Sequence, residues 1–524
     1  MKKYVLLAIA LIVVLAAIAA CAPAPTPAPT AAPPTKAPAV EPTKAPVAPT
    51  AAPKPTDAPK PTEAPKPTVA PTAAAKPTDA PKPTTAPAAP TAAAKATTVP
   101  VPAGATKFDF WHAMGGTNGE AIGEMMGRFN ASQTKCYGTA IFQGTYDDSL
   151  NKLKAGLQSK DVPALAQMYD LATQLMVDLK VIEPMQTFID KDKFDISTYE
   201  PNVLGYYSVG GKLYGMPFNT SAPILYYNKD LFKAAGLDPN KPPRTYAEVL
   251  DYAKKLTKKD ASGKMLVAGY GISIYGWIFE QLNAAAGGLY LNNGNGRDAR
   301  ATAAAFNSPE GIAAVQFWKD GVDAGVYQNF GQHSAGTDAV VAAFNSQQVA
   351  MFIESTARVR GLIDASVGKF ELGTAYIPRP NEDAFKKSGV IIGGASVYIL
   401  KDRPAVEQNC AWEFVKFSSS PEIQAFWHTA SGYYPVTKKA YDIPLDKEWV
   451  TKYPQFLTAV NQLHDAPAIP ATMGGFSGTM QQNRARIQQA IEEVLTGKAT
   501  AKDALDKAAT DVGKFLTDYN RTVQ

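Results

Sequence analysis

From Phe108 to Asp170 the hydrophobic period of the chain switches repeatedly between that of a strand and that of a helix, and this leaves few folds open. Phe108-Asp109-Phe110-Trp111 reads as a strand. Ile122, Met125, Met126 and Phe129 then fall at i, i+3, i+4 and i+7, one face of a helix. Ala140-Ile141-Phe142 reads as a second strand, Leu150, Leu153 and Leu157 stripe a second helix, and Ala164 to Tyr169 is a third strand. This β-α-β-α-β order predicts a parallel sheet with helices on both faces. Ligands of such sheets sit beyond the carboxyl ends of the strands. Trp111-His112 and Tyr169-Asp170 stand at such ends, and Tyr146 lies in the loop after the second strand.

A second stretch reads as the passage from one lobe to another. Pro217-Phe218-Asn219-Thr220-Ser221-Ala222-Pro223 opens with turn chemistry, because proline fixes φ and short hydroxyl side chains bond to nearby backbone. It runs into Ile224-Leu225-Tyr226-Tyr227-Asn228, a buried strand, then a short helix from Leu231 to Ala235 stopped at Gly236. We read it as an interlobe crossing whose hydroxyls face a cleft.

Further along, Gly210-Gly211 marks a hairpin turn. Thr245-x-x-Glu248 is a capping box and Ser308-Pro309 opens another helix. Tyr270 to Ile274 is a strand followed by a helix from Gly276-Trp277, and Val349 to Ile353 is a strand ending at Glu354-Ser355. Tyr376-Ile377-Pro378 is expected to return to the first lobe, Ile391 to Ser396 to lead into a strand from Val397 to Leu400, and a helix to run from Ala405 to Phe417. Helices follow around Arg484 and from Thr500 onward.

Upstream of this body, Lys2-Lys3 and the apolar run Tyr4 to Ala20 have the order of an export signal. The run ends Ile18-Ala19-Ala20-Cys21, which resembles the bacterial lipobox, and that resemblance implies a lipid on Cys21 after removal of 1–20. From 21 to 105 there is no aromatic residue, and Lys54-Pro55-Thr56-Asp57-Ala58-Pro59 recurs with small changes from Lys60 and Lys66. Such composition cannot bury a core, so a disordered tether is expected, reaching on the order of 200 Å if extended.

Charge and cysteine content exclude several functions. Ten Lys against four acids before residue 106 give an excess of six; with +5 for the whole chain, the remainder carries −1. A near-neutral body lacks the electrostatic footprint of a nucleic-acid binder. Cys136 and Cys410 can pair outside the cytosol, but nothing in the sequence brings them within the short Cα distance required, and we expect two buried free thiols. There is no GxxxxGK[ST], no HExxH or His/Cys cluster and no GxSxG. We expect no enzyme, no metal and no cofactor.

The body resembles the extracellular solute-binding proteins of ABC importers, and within them the glycerol-3-phosphate-binding protein family. The motifs that carry this are Phe110-Trp111-His112, Gly205-Tyr206-Tyr207-Ser208, Pro217-Phe218-Asn219, Leu225 to Asp230, Ile391 to Ser396, Gly432-Tyr433 with Pro435, and Thr496-Gly497-Lys498. The resemblance implies an α/β, two-lobed periplasmic-binding-protein-like fold of the class II, maltose-binding-protein-like kind, with strands crossing between lobes. The lobes are expected at 106–222 with 376–420, and at 223–375 with 421–524.

The family's ligand contacts fall on Tyr146, Asp170, Ser221, Ser355, Gly394, Tyr433 and Arg484. Their chemistry suits a small phosphate ester. Arg484 offers a planar fork to phosphate oxygens, Gly394 lets backbone approach an anion, and Asp170 accepts from glycerol hydroxyls. Trp277 can cover the carbon chain. Trp111 and His112, at a strand end, complete the candidate set, and in a sugar-binding alternative Trp111, Tyr146, Trp277 and Tyr433 stack on the rings. Two departures widen the pocket: Asp170 stands where the family has Glu, and Ile274 where it has Trp. A glycerophosphodiester or a sugar then joins sn-glycerol 3-phosphate as a candidate solute. The implied partners are an ABC permease with its ATPase, and the membrane through the lipid anchor, for a monomer held on the outer side of the cell membrane.

Overall fold

The computed structural model describes residues 99–523. The signal segment, Cys21 and the tether up to residue 98 lie outside the described residues.

Thr106–His112 pairs in parallel with Cys136–Phe142 on one side and Leu165–Tyr169 on the other. The alternation read from Phe108 onward is therefore the core of a six-stranded sheet. Gly393–Leu400 joins it antiparallel to Leu165–Tyr169, with Ala395 opposite Tyr169. Met216–Ser221 then pairs antiparallel with Gly393–Leu400. Helices Gly116–Ser132 and Ala405–Ser418 pack on the parallel strands, and their apolar stripes, including Ile122, Met125 and Phe414, are fully buried. Tyr146 is the first residue of helix Tyr146–Ser159, not part of the loop before it. Thr145 caps that helix in a reciprocal box with Asp148, which fixes where the tyrosine enters.

A second, five-stranded sheet holds Pro223–Asn228 between Met351–Ser355 and Leu372–Ala375, both antiparallel to it, with Tyr270–Ile274 and Tyr327–Gln332 beyond. The stretch from Pro217 is thus strand on both sides of the crossing: Met216–Ser221 belongs to the first sheet, Pro223–Asn228 to the second, and Ala222 alone separates them. The expected turn before the crossing is replaced by strand. Pro217 is tolerated there because the ladder shifts register between Ala395 and Ser396, opposite it, and Pro223 stands at the first position of its strand. Every residue of both strands is buried, so no polar-apolar alternation advertises the first of them.

The return crossing comes later than Tyr376. Ile377 N–H donates to Gln462, the Ser388 hydroxyl donates to Ala285 O, and Ile391 exchanges two hydrogen bonds with Gln281. Ala285 and Gln281 lie on helix Gly276–Ala285 of the second sheet's side, so the chain stays there until it enters the first sheet at Gly393.

Cys136 and Cys410 form a disulfide, with Cα atoms 5.6 Å apart, in place of the two free thiols expected. The reason is tertiary: helix Ala405–Ser418 lies on the strand that begins at Cys136, and this brings together residues 274 apart in sequence.

Candidate functional site

Between the two sheets, where the chain crosses, lies a small cavity of about 60 Å³ lined by Tyr146, Asp170, Ser221, Tyr275, Trp277, Glu354, Ser355, Gly394 and Tyr433. Seven of the ten residues expected from the sequence line it. Each arrives from an element end. Ser221 closes the last strand before the crossing, and Ser355 lies opposite Pro223, the first residue after it. Asp170 follows Leu165–Tyr169, and Tyr146 and Trp277 sit in the first turns of their helices.

Gly394 faces Thr220 across the ladder at φ 95°. A Cβ there would lie 1.8 Å from Asn219 O, so only glycine permits this approach of the two strands. Gly393 beside it has the Trp277 indole where a Cβ would stand, 2.5 Å away. These two glycines let the indole close against the strand.

Hydroxyl orientation is set by a buried relay. Gln167 accepts from Ala113 N–H and donates to Asn219 Oδ1 at 2.7 Å, and Asn219 donates to the Tyr146 hydroxyl at 2.9 Å. The Tyr146 oxygen is thereby an acceptor within the protein, and its own proton is directed toward the Tyr433 hydroxyl at the cavity wall. Tyr146 stacks on Tyr169 and Tyr433 on Trp427. Burial pushes the Tyr146 and Tyr433 hydroxyls above their ordinary range, so both remain protonated donors. Trp277 Nε1–H is buried with no hydrogen-bond partner among the described residues.

Arg484 is not in the cavity wall; it stands behind Asp170. Its Nη2 donates to Asp170 Oδ2 at 2.7 Å and to Glu280 Oε2 at 2.8 Å, and its Nε donates to the same Glu280 oxygen at 3.0 Å. All three side chains are at most 5% exposed. Burial works against the guanidinium charge, but Asp170 and Glu280 together hold Arg484 protonated well above its ordinary range. Burial pushes the Glu280 carboxyl up, against the pull of Arg484, with the Asp170 charge adding to the rise. The fork expected to face phosphate is thus largely filled by two carboxylates, and its first effect is to fix Asp170 at the cavity wall. This arrangement escaped sequence reading because Glu280 was not singled out. A signal was present: a lone acid in the apolar helix Trp277-Ile278-Phe279-Glu280, all ten of whose residues are buried.

Trp111 and His112 do not line the cavity. His112 is buried against Phe110 and Phe142, and its ring nitrogen accepts from Met114 N–H. Burial lowers its pKa to about 4, so it is neutral and structural. Tyr275, two residues before Trp277, and Glu354, beside Ser355, line the cavity but were not singled out from the sequence.

The cavity adjoins two others. One of about 150 Å³ is lined by Asp147, Tyr169, Tyr275, His333, Gln481 and Arg484. The other, about 620 Å³, shares Tyr146, Tyr275, Glu354 and Tyr433 with it and extends past Met114, Phe142, Val341, Arg358 and Leu362. Across the first of these Asp147 accepts from Tyr169 and from Gln481, and pairs with His333 Nε2 at 2.9 Å. These bonds tie the two sides together near the crossing.

Residues 124–458 match the family described as bacterial extracellular solute-binding protein. The sn-glycerol-3-phosphate-binding periplasmic protein UgpB of Escherichia coli is 32% identical over 424 residues, 80% of this chain and 94% of that one. The same-named protein of Pectobacterium atrosepticum is 33% identical over 425 residues, with 80% and 93% covered. Among solved structures, UgpB from Mycobacterium tuberculosis in complex with glycerophosphocholine superposes with a TM-score of 0.67 at 21% identity, covering 80% of this chain and all of that one. A cyclic α-maltosyl-1,6-maltose binding protein from Arthrobacter globiformis superposes with a TM-score of 0.63 at 27% identity, covering 79% and 100%.

Proposed function

This chain belongs to the bacterial extracellular solute-binding proteins, and on that premise we propose that it captures sn-glycerol 3-phosphate or a related glycerophosphodiester and delivers it to the permease of an ABC importer. The observation that carries the reading is the donor set around one cavity at the crossing: the hydroxyls of Tyr146, Ser221, Ser355 and Tyr433 and the unpartnered indole N–H of Trp277. Phosphate oxygens need several hydrogen-bond donors at once, and donors from both sheets reward the closed arrangement over any open one. Asp170, held by Arg484, supplies an acceptor for glycerol hydroxyls. The relatives named for sn-glycerol 3-phosphate support this solute class. We assign no catalytic residue, because capture and release need no covalent step.

The lobes of this reading run from 106 to 222 with 376–420, and from 223 to 375 with 421–524. Export by 1–20, a lipid on Cys21 and action as a monomer outside the cell membrane complete the proposal.

A sugar is the second reading. It is favoured by the carboxylates Asp170 and Glu354 among the tyrosines, since sugar hydroxyls donate to acids and their C–H faces lie on rings. Calorimetric titration of the full-length protein with sn-glycerol 3-phosphate, glycerophosphocholine and maltose separates the two. Binding of either ester with no heat from maltose is expected; binding of maltose alone would replace the phosphate-ester reading with the sugar one.

A further inference from the structure

Glu354 is the residue around the cavity whose chemistry the reading above leaves unused. It is the last residue but one of strand Met351–Ser355, and its side chain is only 4% exposed. Its Oε1 accepts from Ser355 N–H at 2.7 Å, which fixes the carboxyl plane. Its Oε2 is buried without a partner. A buried carboxylate oxygen with no close donor is costly, and it persists where something else supplies the missing partner.

The surroundings narrow what that partner is. Glu354 stands on the boundary between the small cavity and the 620 Å³ chamber, together with Tyr146, Tyr275 and Tyr433. The other acids of the chamber are satisfied: Asp147 pairs with His333, and Asp338 with Arg358. The cation nearest in effect to Glu354, Arg358, is thus already engaged by Asp338. Among the described residues the chamber therefore presents one buried acid that makes no ion pair of its own, with Arg358 acting on it only at a distance, beside three aromatic rings. Carboxylate plus tyrosine rings is a setting that favours a positively charged nitrogen, through direct attraction and through the ring faces. The chamber is also larger than a glycerol phosphate needs, so the solute has room to continue past Glu354.

We infer that Glu354 is a specificity-determining residue, seating a cationic nitrogen carried on the alcohol side of a phosphodiester whose glycerol phosphate fills the small cavity. The inference rests on the phosphate-ester reading and adds to it a preference among esters. Burial pushes the Glu354 carboxyl above its usual range, against the opposing pull of Arg358, the Ser355 N–H and the Thr337 hydroxyl, with the Asp338 charge adding to the rise. A cation arriving beside it restores the ionised form. Binding then releases a proton, which a neutral head group does not cause.

The test is calorimetry of the full-length protein with glycerophosphoethanolamine and glycerophosphocholine, against glycerophosphoglycerol as the neutral-headed control. The cationic esters are expected to bind about tenfold tighter than the neutral one. Glu354→Gln should remove that margin, lowering the affinity for the two cationic esters about tenfold more than that for glycerophosphoglycerol. Titrations near pH 5.5 in two buffers of different ionisation enthalpy should show proton release with the cationic esters, absent in Glu354→Gln. Equal affinity for cationic and neutral esters, or an equal loss for all three in Glu354→Gln, overturns the inference and leaves the phosphate-ester reading standing. Failure of every ester to bind the folded, unsubstituted protein overturns both.

Discussion

The guanidinium of Arg484 meets two buried carboxylates, and this changes what the residue is worth. Removing it strands Asp170 and Glu280 together in a buried site, where breaking a buried ion pair costs about 3–5 kcal/mol. Arg484→Met is therefore expected to lower the unfolding free energy by that order in a denaturant titration, as well as abolish ester binding. Adding Glu280→Gln to Arg484→Met should recover part of the stability, because one stranded charge is gone, and none of the binding, because Asp170 is no longer held at the wall. Equal stability of Arg484→Met and the unsubstituted protein would show that the guanidinium is not engaged this way. Asp170 and Ser221 could be placed near the cavity from sequence because one follows a strand of the β-α-β alternation and the other lies in the Pro217–Pro223 crossing stretch. Glu280 was not, because a single acid inside an apolar helix has no motif; only its burial, which sequence does not display, gives it meaning.

At the scale of elements, helix Tyr146–Ser159 and helix His333–Asn345 meet through one titratable contact. His333 opens its helix at φ 55°, an uncommon conformation for a residue with a side chain, and reaches Asp147 across the cleft. Tyr275 packs on its ring edge; Asp148 adds to the field, and Arg484 lines the same cavity. The hydrogen bond that His333 donates to Asp147 raises the His333 pKa above 6.5, with burial opposing. Burial would raise Asp147, but hydrogen bonds from His333, Tyr169 and Gln481 hold it at about 2. A raised histidine stabilises the closed arrangement fully below 6.5 and loses that contribution as pH rises through its closed-state value. The Asp147 contribution is lost only as pH falls through about 2, outside the working range. Ester affinity should therefore fall a few-fold from pH 6 to pH 8.5, because a pair exposed to this degree is worth no more than about 1 kcal/mol. His333→Gln should flatten the profile; an unchanged slope in that variant would show that this contact does not titrate with closure. The helix that begins at Tyr146 was readable from its Leu150, Leu153 and Leu157 stripe, whereas the helix that begins at His333 was not singled out, nor was their meeting across the cleft, since residues 147 and 333 are neighbours only through the fold.

For the whole molecule, the parallel core was legible because β-α-β alternation admits few topologies, and helices such as Gly276–Ala285 and Ala405–Ser418 start where their sequence signals place them. The return crossing was misplaced for a physical reason. Residues 376–392 form loops and one short helix, held against their neighbours largely by polar contacts, and carry no period to reveal which sheet they follow. The disulfide was also invisible, since it closes a loop of 274 residues that only packing of helix Ala405–Ser418 brings together. Closing so long a loop constrains the unfolded chain, and Cys410→Ser should cost about 2–5 kcal/mol of stability, read as a lowered denaturation midpoint, with ester affinity retained below it. An unchanged midpoint would mean the bond bears no part of the stability.

Two sheets, one crossing and a ring of donors between them amount to a single claim: the solute is held by both lobes at once. A crystal structure of the protein grown with sn-glycerol 3-phosphate tests it most directly. The account predicts the ester between Ser221 and Ser355, within hydrogen-bond distance of Tyr146 and Tyr433 and with a glycerol hydroxyl on Asp170. An ester bound elsewhere, or touching residues of one sheet only, would contradict it.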